Sequence, residues 1–291
     1  MNRMMIFLLA GTICLGLAGC SRREPDMTEV TNRTVPTLTN QDPTEPVLRE
    51  QAIYDAEGIR ITVKGIEENT PNGIRIPILV ENGTDRNIVF SGDLFVVNGV
   101  TLPGYLYAEA AAGTKTNDAV EFYTDVLDSA AIDRIRTLRG YDARIVDTDT
   151  YETLAQVPLE LTTAHGEIPE DSSKESGVLL YEQAGVSVTA QVISDAFYGK
   201  TVQLLVTNET GRDIIVEADN VSVNGYTVDA WLYDTVVKDT VRYCQLDLFE
   251  TSLAENGIDQ VEAVSFRLNV LDAVSYEAVA QSEVLTVEVV G

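Results

Sequence analysis

The side chains able to do chemistry are few in kind. The chain holds one histidine, His165, and three cysteines. A single imidazole cannot build an HExxH zinc site, a His-Cys cluster or a Ser-His-Asp triad. His165 stands beside Gly166 in a polar stretch, where a solvated linker histidine is expected. Cys244 sits in the strand-like run Val241-Arg242-Tyr243-Cys244-Gln245-Leu246, with no base near it in sequence, and a buried, inert thiol is expected. No GxGxxG or P-loop run occurs. Carboxylates are plentiful. Asp125 and Asp128 flank one turn, and Asp147-Thr148-Asp149 makes a D-x-D loop. Two acids across a cleft can cleave glycosides, and loop oxygens can converge on calcium. A related segment, Asp272-Ala273-Val274, lacks the second acid, so surface acids are expected rather than a calcium loop. No catalytic residue, metal or cofactor is assigned.

The aromatics form the one constellation that suggests binding. Tyr105-Leu106-Tyr107 corresponds to Trp231-Leu232-Tyr233, and each follows an Asn-Gly pair by a few residues. On a strand the first and third residues share a face and the second takes the other. If Leu106 and Leu232 point to the core, then Tyr105, Tyr107, Trp231 and Tyr233 point outward. They would then form a platform for sugar rings or an apolar partner edge. The competing expectation buries them in a core or a domain interface.

These residues are carried on a repeated scaffold. Asn82-Gly83-Thr84-Asp85-Arg86-Asn87-Ile88 matches Asn208-Glu209-Thr210-Gly211-Arg212-Asp213-Ile214. At the same offset Val97-Asn98-Gly99 matches Val223-Asn224-Gly225, and Ile132-Asp133 matches Ile258-Asp259. Tyr54, Gly58 and Tyr151-Glu152 find partners in Tyr181, Gly185 and Tyr276-Glu277 with single-residue slips. Within each copy the apolar period is two: Ile74, Ile76, Ile78 and Val80, then Val202, Leu204 and Val206. Such alternation predicts strands with one buried face. Asn98-Gly99 and Asn224-Gly225 predict hairpin turns. Ser252-Leu253-Ala254-Glu255 reads as a capping box closing into Asn256-Gly257, with the equivalent turn at residues 126–131. Strand runs about every ten residues predict seven to nine strands per copy and an all-β chain of two tandem β-sandwich domains. The expected domains are 52–162 and 178–291, joined by a polar linker at 163–177.

The N-terminus is an address. Arg3 precedes an apolar run over residues 4–17, the length of a signal h-region and too short to span a bilayer. It ends in Leu17-Ala18-Gly19-Cys20, which resembles the lipobox of bacterial lipoproteins. The resemblance implies removal of residues 1–19, a diacylglyceryl group on Cys20 and a membrane anchor facing the cell exterior or periplasm. Two acyl chains anchor firmly where one is marginal. Residues 20–51 are polar and hold Pro25, Pro36, Pro43 and Pro46, which predicts a disordered, flexible tether. With Cys14 and Cys20 accounted for, only Cys244 remains, so no intramolecular disulfide is expected. The formal charge of −26 argues against nucleic acid as a partner.

The pattern Tyr…Gly-Ile…Asn-x-Thr…Val-Asn-Gly…Leu-Tyr…Asp…Tyr-Glu resembles extracellular immunoglobulin-like domains in lipoproteins of Gram-positive gut bacteria, mostly of uncharacterised function. The resemblance covers both copies but rests on turn and core positions, so it implies fold more than function. The chain departs from antibody-type domains in having no cysteine pair and no core tryptophan in each unit. The leading functional expectation is a lipid-anchored binding protein whose partner is a protein or glycan. A structural spacer and a glycan-acting enzyme using acid pairs are the alternatives.

Overall fold

The computed structural model describes residues 46–166, 177–197 and 199–288. Cys20, residues 1–19 of the expected signal, most of the expected tether and residues 167–176 of the expected linker lie outside the described residues. All described residues belong to one compact unit, and its architecture is an all-β sandwich. The first half runs β1 (Gln51–Ala56), β2 (Ile59–Val63), β3 (Glu67–Thr70), β4 (Gly73–Asn82), β5 (Ile88–Val97), β6 (Val100–Ala110) and β7 (Lys115–Tyr123). It continues through α1 (Thr124–Ser129), β8 (Thr137–Gly140), β9 (Arg144–Asp147), β10 (Thr153–Gln156) and β11 (Glu160–Thr162). Strands β1, β2, β4 and β7 pair antiparallel in that order. Strand β5 pairs β6 on one side and β8 and β9 on the other, and β11 and β10 extend those two.

The second half repeats this arrangement with β12 (Val178–Gln183), β13 (Val186–Ala196), β14 (Gly199–Asn208), β15 (Ile214–Val223), β16 (Tyr226–Thr227), β17 (Ala230–Trp231) and β18 (Tyr233–Val236). It ends with β19 (Thr240–Phe249), α2 (Glu250–Glu255), β20 (Ala263–Asp272) and β21 (Ala278–Glu288). The order β12-β13-β14-β19 copies β1-β2-β4-β7, and β15 lies between β18 and β20 as β5 lies between β6 and β9. The long β6 is broken into β16, β17 and β18 in the copy. Even so, Trp231 stands opposite Asp247 as Tyr105 stands opposite Glu121.

Period-two alternation positions the core as expected. Along β4, Ile74, Ile76, Ile78 and Val80 are buried and pack against Phe90 and Phe95 of β5 in one apolar cluster. Val202, Leu204 and Val206 of β14 do the same in a second cluster with Val216 and Phe266. Asn98 and Gly99 both take positive φ (52° and 81°), as do Asn224 and Gly225 (51° and 85°), which is the tight hairpin turn the pairs predict. Each Asn also ties its hairpin to the neighbouring strand. Asn98 Nδ2 donates to Arg134 O, while its Oδ1 accepts from the N–H groups of Arg136 and Thr137. Asn224 makes the same three bonds to Gln260, Glu262 and Ala263.

Three local expectations change. The fold begins before residue 52: Leu48 is buried in the first core, Val47 O accepts from Ala164 N at 2.8 Å, and β1 starts at Gln51. The linker also begins later than residue 163. Thr163 Oγ1 donates to Ile135 O, and the largely buried His165 pairs through Nε2 with Glu68 at 2.7 Å, so it is not a solvated histidine. The capping box is absent. Phe249 caps α2 without a side-chain bond, and Ser252 lies inside the helix, where its Oγ accepts from Asp229 N. Burial against the core fixed the helix start one turn earlier than the Ser signal. The helix ends follow a Schellman pattern in both copies: Ile132 N bonds Leu127 O and Ile258 N bonds Leu253 O.

The halves are docked. Val241 and Tyr243 of β19 pack against the first core, Val241 pairs with Val100 of β6 in parallel, and Val241 N donates to Gly99 O at 3.1 Å. A closed hydrogen-bond circuit seals the contact. Val237 N donates to Thr101 Oγ1, Thr101 and Thr240 hydroxyls meet at 2.7 Å, and Thr240 Oγ1 donates to Val237 O. The ends force its direction, because an N–H only donates and a C=O only accepts. Both hydroxyls are therefore satisfied in a buried place, where an unpaired one would cost about 1–3 kcal/mol.

Candidate binding site

Leu106 and Leu232 are buried, and the aromatics beside them face outward. Relative exposure is 49% for Tyr105, 47% for Tyr107, 60% for Trp231 and 42% for Tyr233. The strand alternation thus holds in both copies. The two pairs do not share one surface feature. Tyr107 donates to Glu109 at 3.1 Å, and that bond, with the carboxylate charge, raises its phenol pKa. Trp231 and Tyr233 instead stand on the wall of a groove between the halves.

The groove has a volume of about 400 Å³, within the size range of small-molecule sites. Its first-half side is the start of β6 (Thr101 to Pro103) with Asp125, Val126 and Ser129 of α1. Its second-half side carries Trp231, Tyr233, Asp234, Arg242, Gln245 and Asp247. Thr101 of the hydrogen-bond circuit is among its lining residues, so the groove lies at the contact between the halves. Trp231 and Tyr233 lie side by side with ring centroids 6.1 Å apart and planes inclined by 36°. A third group inserted between two rings needs roughly 7 Å, twice a contact of about 3.5 Å. A ligand must therefore lie across the pair.

The polar residues divide into occupied and unoccupied groups. Arg242 forms an ion pair with Asp234 and donates from Nη1 to Thr235 O at 2.8 Å, and its buried Nε has no hydrogen-bond partner. Asp125, Gln245 and Asp247 have no side-chain partner among the described residues. Sequence reasoning missed Arg242, Asp234, Gln245 and Asp247. Their positions in the first half hold Thr116, Ala108, Ala119 and Glu121, so only the acid at Asp247 recurs in the repeat.

The other chemical candidates are structural. Cys244 is fully buried, and burial pushes its thiol pKa well up, which suppresses the nucleophilic thiolate. In the D-x-D loop, Asp147 Oδ1 accepts from the N–H groups of Asp149 and Thr150, and those bonds lower its pKa. Asp272 does the same with Val274 and Ser275. The carboxylate that both copies share is thus a turn former. Among the described residues no three His, Cys, Asp or Glu side chains gather as a metal site.

Neither a scan against protein-family models nor a search of curated proteins returns a match for this chain.

Proposed function

We propose that this is a lipid-anchored, extracytoplasmic binding protein. Cys20 carries the diacylglyceryl anchor, residues beyond it form the tether, and two tandem immunoglobulin-like domains hold one ligand groove between them. The ligand is a glycan or a protein segment, and the negative charge disfavours nucleic acid. One observation carries the reading: two large aromatic side chains stay exposed on the wall of a groove lined by both halves. Exposed aromatic anchors in a concave site favour binding.

Two experiments test it. Cys20→Ser should leave an unprocessed precursor, and metabolic lipid labelling that persists would refute the anchor. A glycan and cell-surface binding screen with the wild type and Trp231→Ala should show signal lost in the variant while its melting temperature holds. Equal signal from both would remove the groove from the reading. A spacer role is favoured by a different observation, the buried Thr101–Thr240 circuit that ties the halves together. It gains if no surface ligand depends on Trp231.

A further inference from the structure

We infer that the groove selects a cationic amino sugar. The inference rests on the groove-binding reading above and adds the ligand class. Three aspartates and one arginine line the groove. Asp234 and Arg242 neutralise each other as an ion pair, which leaves Asp125 and Asp247 as unpaired negative charges on opposite sides. The chain's −26 charge adds a field of the same sign, which concentrates cations at a concave surface.

The geometry then sets the shape of the cation. Trp231 and Tyr233 present one continuous two-ring surface, and Asp247 stands directly across the strand pair from Trp231. A flat, partly apolar ring laid over those faces brings a substituent to the carboxylate beside them. An ammonium on that ring gains from Asp247 or Asp125 and from the electron-rich ring faces. Hydroxyls on the same ring find the free amide of Gln245. A volume of about 400 Å³ accepts a ring-sized unit and excludes a folded partner. A pyranose with a free amine meets all of these demands, whereas a lysine side chain offers the charge without the ring.

Trp231 is the only tryptophan in the chain, so its fluorescence reports the groove directly. The test titrates the full chain, purified in detergent, with oligomers of glucosamine, of N-acetylglucosamine and of glucose. The solution is mildly acidic, so that the sugar amine is protonated. Glucosamine oligomers should change the emission saturably and bind roughly tenfold tighter than the N-acetylated form, the scale of one partly screened charge contact. Added salt should narrow that ratio. The double variant Asp125→Asn, Asp247→Asn should bring that ratio to about one, because the preference for the charged form rests on these two carboxylates. Neutral oligomers binding as tightly as charged ones to the wild type would overturn the amino-sugar class and leave the groove-binding reading standing. An oligolysine peptide that shifts the emission when no sugar does would also overturn it. Emission unmoved by every probe would overturn it too, with the groove itself then judged by the Trp231→Ala screen.

Discussion

The two halves share a scaffold and differ where they meet other surfaces. In the second half Val237, Thr240, Val241 and Tyr243 enter the joint with the first. Their equivalents, Ala111, Thr114, Lys115 and Asn117, are exposed and small or polar. Thr114 keeps the local bond to Ala111 O that Thr240 makes to Val237 O, but no second hydroxyl completes a circuit there. A head-to-tail joint between like units can propagate unless its free end is altered. The first half carries such an alteration at residues 111–117, where the equivalents of the joint residues are exposed. Repetition supplied the fold, and departure from repetition supplied the interface and the groove.

The strand carrying the aromatics shows a second, compensated difference. Gly104 precedes Tyr105, and a Cβ there would stand 2.8 Å from both Phe95 and Phe122. Those rings meet edge to face at 5.2 Å. The second half has Ala230 with Val221 and Leu248 at the same three places, so smaller core partners leave room for the methyl. The first core thus spends its space on an aromatic pair and thins the backbone beside it.

Substitutions at paired positions should break or sharpen this comparison. The largest effect is expected from Leu106→Ala and Leu232→Ala. Both side chains are almost fully buried, so each should cost about 2–5 kcal/mol in chemical denaturation. Similar costs would support equivalent cores, and a near-silent Leu232→Ala would sink that equivalence. Next come the joint and its free counterpart. Val237→Lys places a charge in the buried contact and should cost about 2–4 kcal/mol, while Ala111→Lys should stay within about 0.5 kcal/mol. Equal melting temperatures for the two variants would show that the joint contributes little. Smaller again, Gly104→Ala should cost about 1–3 kcal/mol through overpacking, and adding Phe95→Val should recover part of it. At the helix ends, Ala131 and Gly257 hold the same left-handed position (φ 52° and 68°). Ala131→Gly should gain, and Gly257→Ala lose, about 1 kcal/mol. A loss in both would place the strain elsewhere.

What the sequence made legible was local and periodic. Alternation in β4 and β14, the Asn-Gly turns and the inward Leu of each aromatic triplet all follow from backbone geometry that acts within a few residues. The illegible parts depend on contacts between distant segments. Ser252 looked like a cap because its neighbours fit the motif, yet burial of Leu253 set the helix register. His165 looked solvated because its sequence neighbours are polar, yet Glu68 of β3 receives it. The groove has no sequence signature, since its walls come from β6 and α1 on one side and β17–β19 on the other. The docked joint that brings them together is a tertiary fact.

The smallest expected change in stability is at the aromatics themselves, and it separates display from support. Tyr105 and Trp231 occupy equivalent places opposite Glu121 and Asp247. Each keeps about half or more of its surface in solvent, so truncation removes little buried area. Tyr105→Ala and Trp231→Ala should each shift stability by no more than about 0.5 kcal/mol. The pair differs in what surrounds it, because Trp231 faces the groove and Tyr105 does not. Binding should therefore fall with Trp231→Ala and persist with Tyr105→Ala. A melting temperature lowered as much by Trp231→Ala as by Leu232→Ala would mean that the indole braces the joint, since loss of packing on that scale needs a buried ring. The second half would then owe its tryptophan to docking, and the groove would be a by-product of the joint.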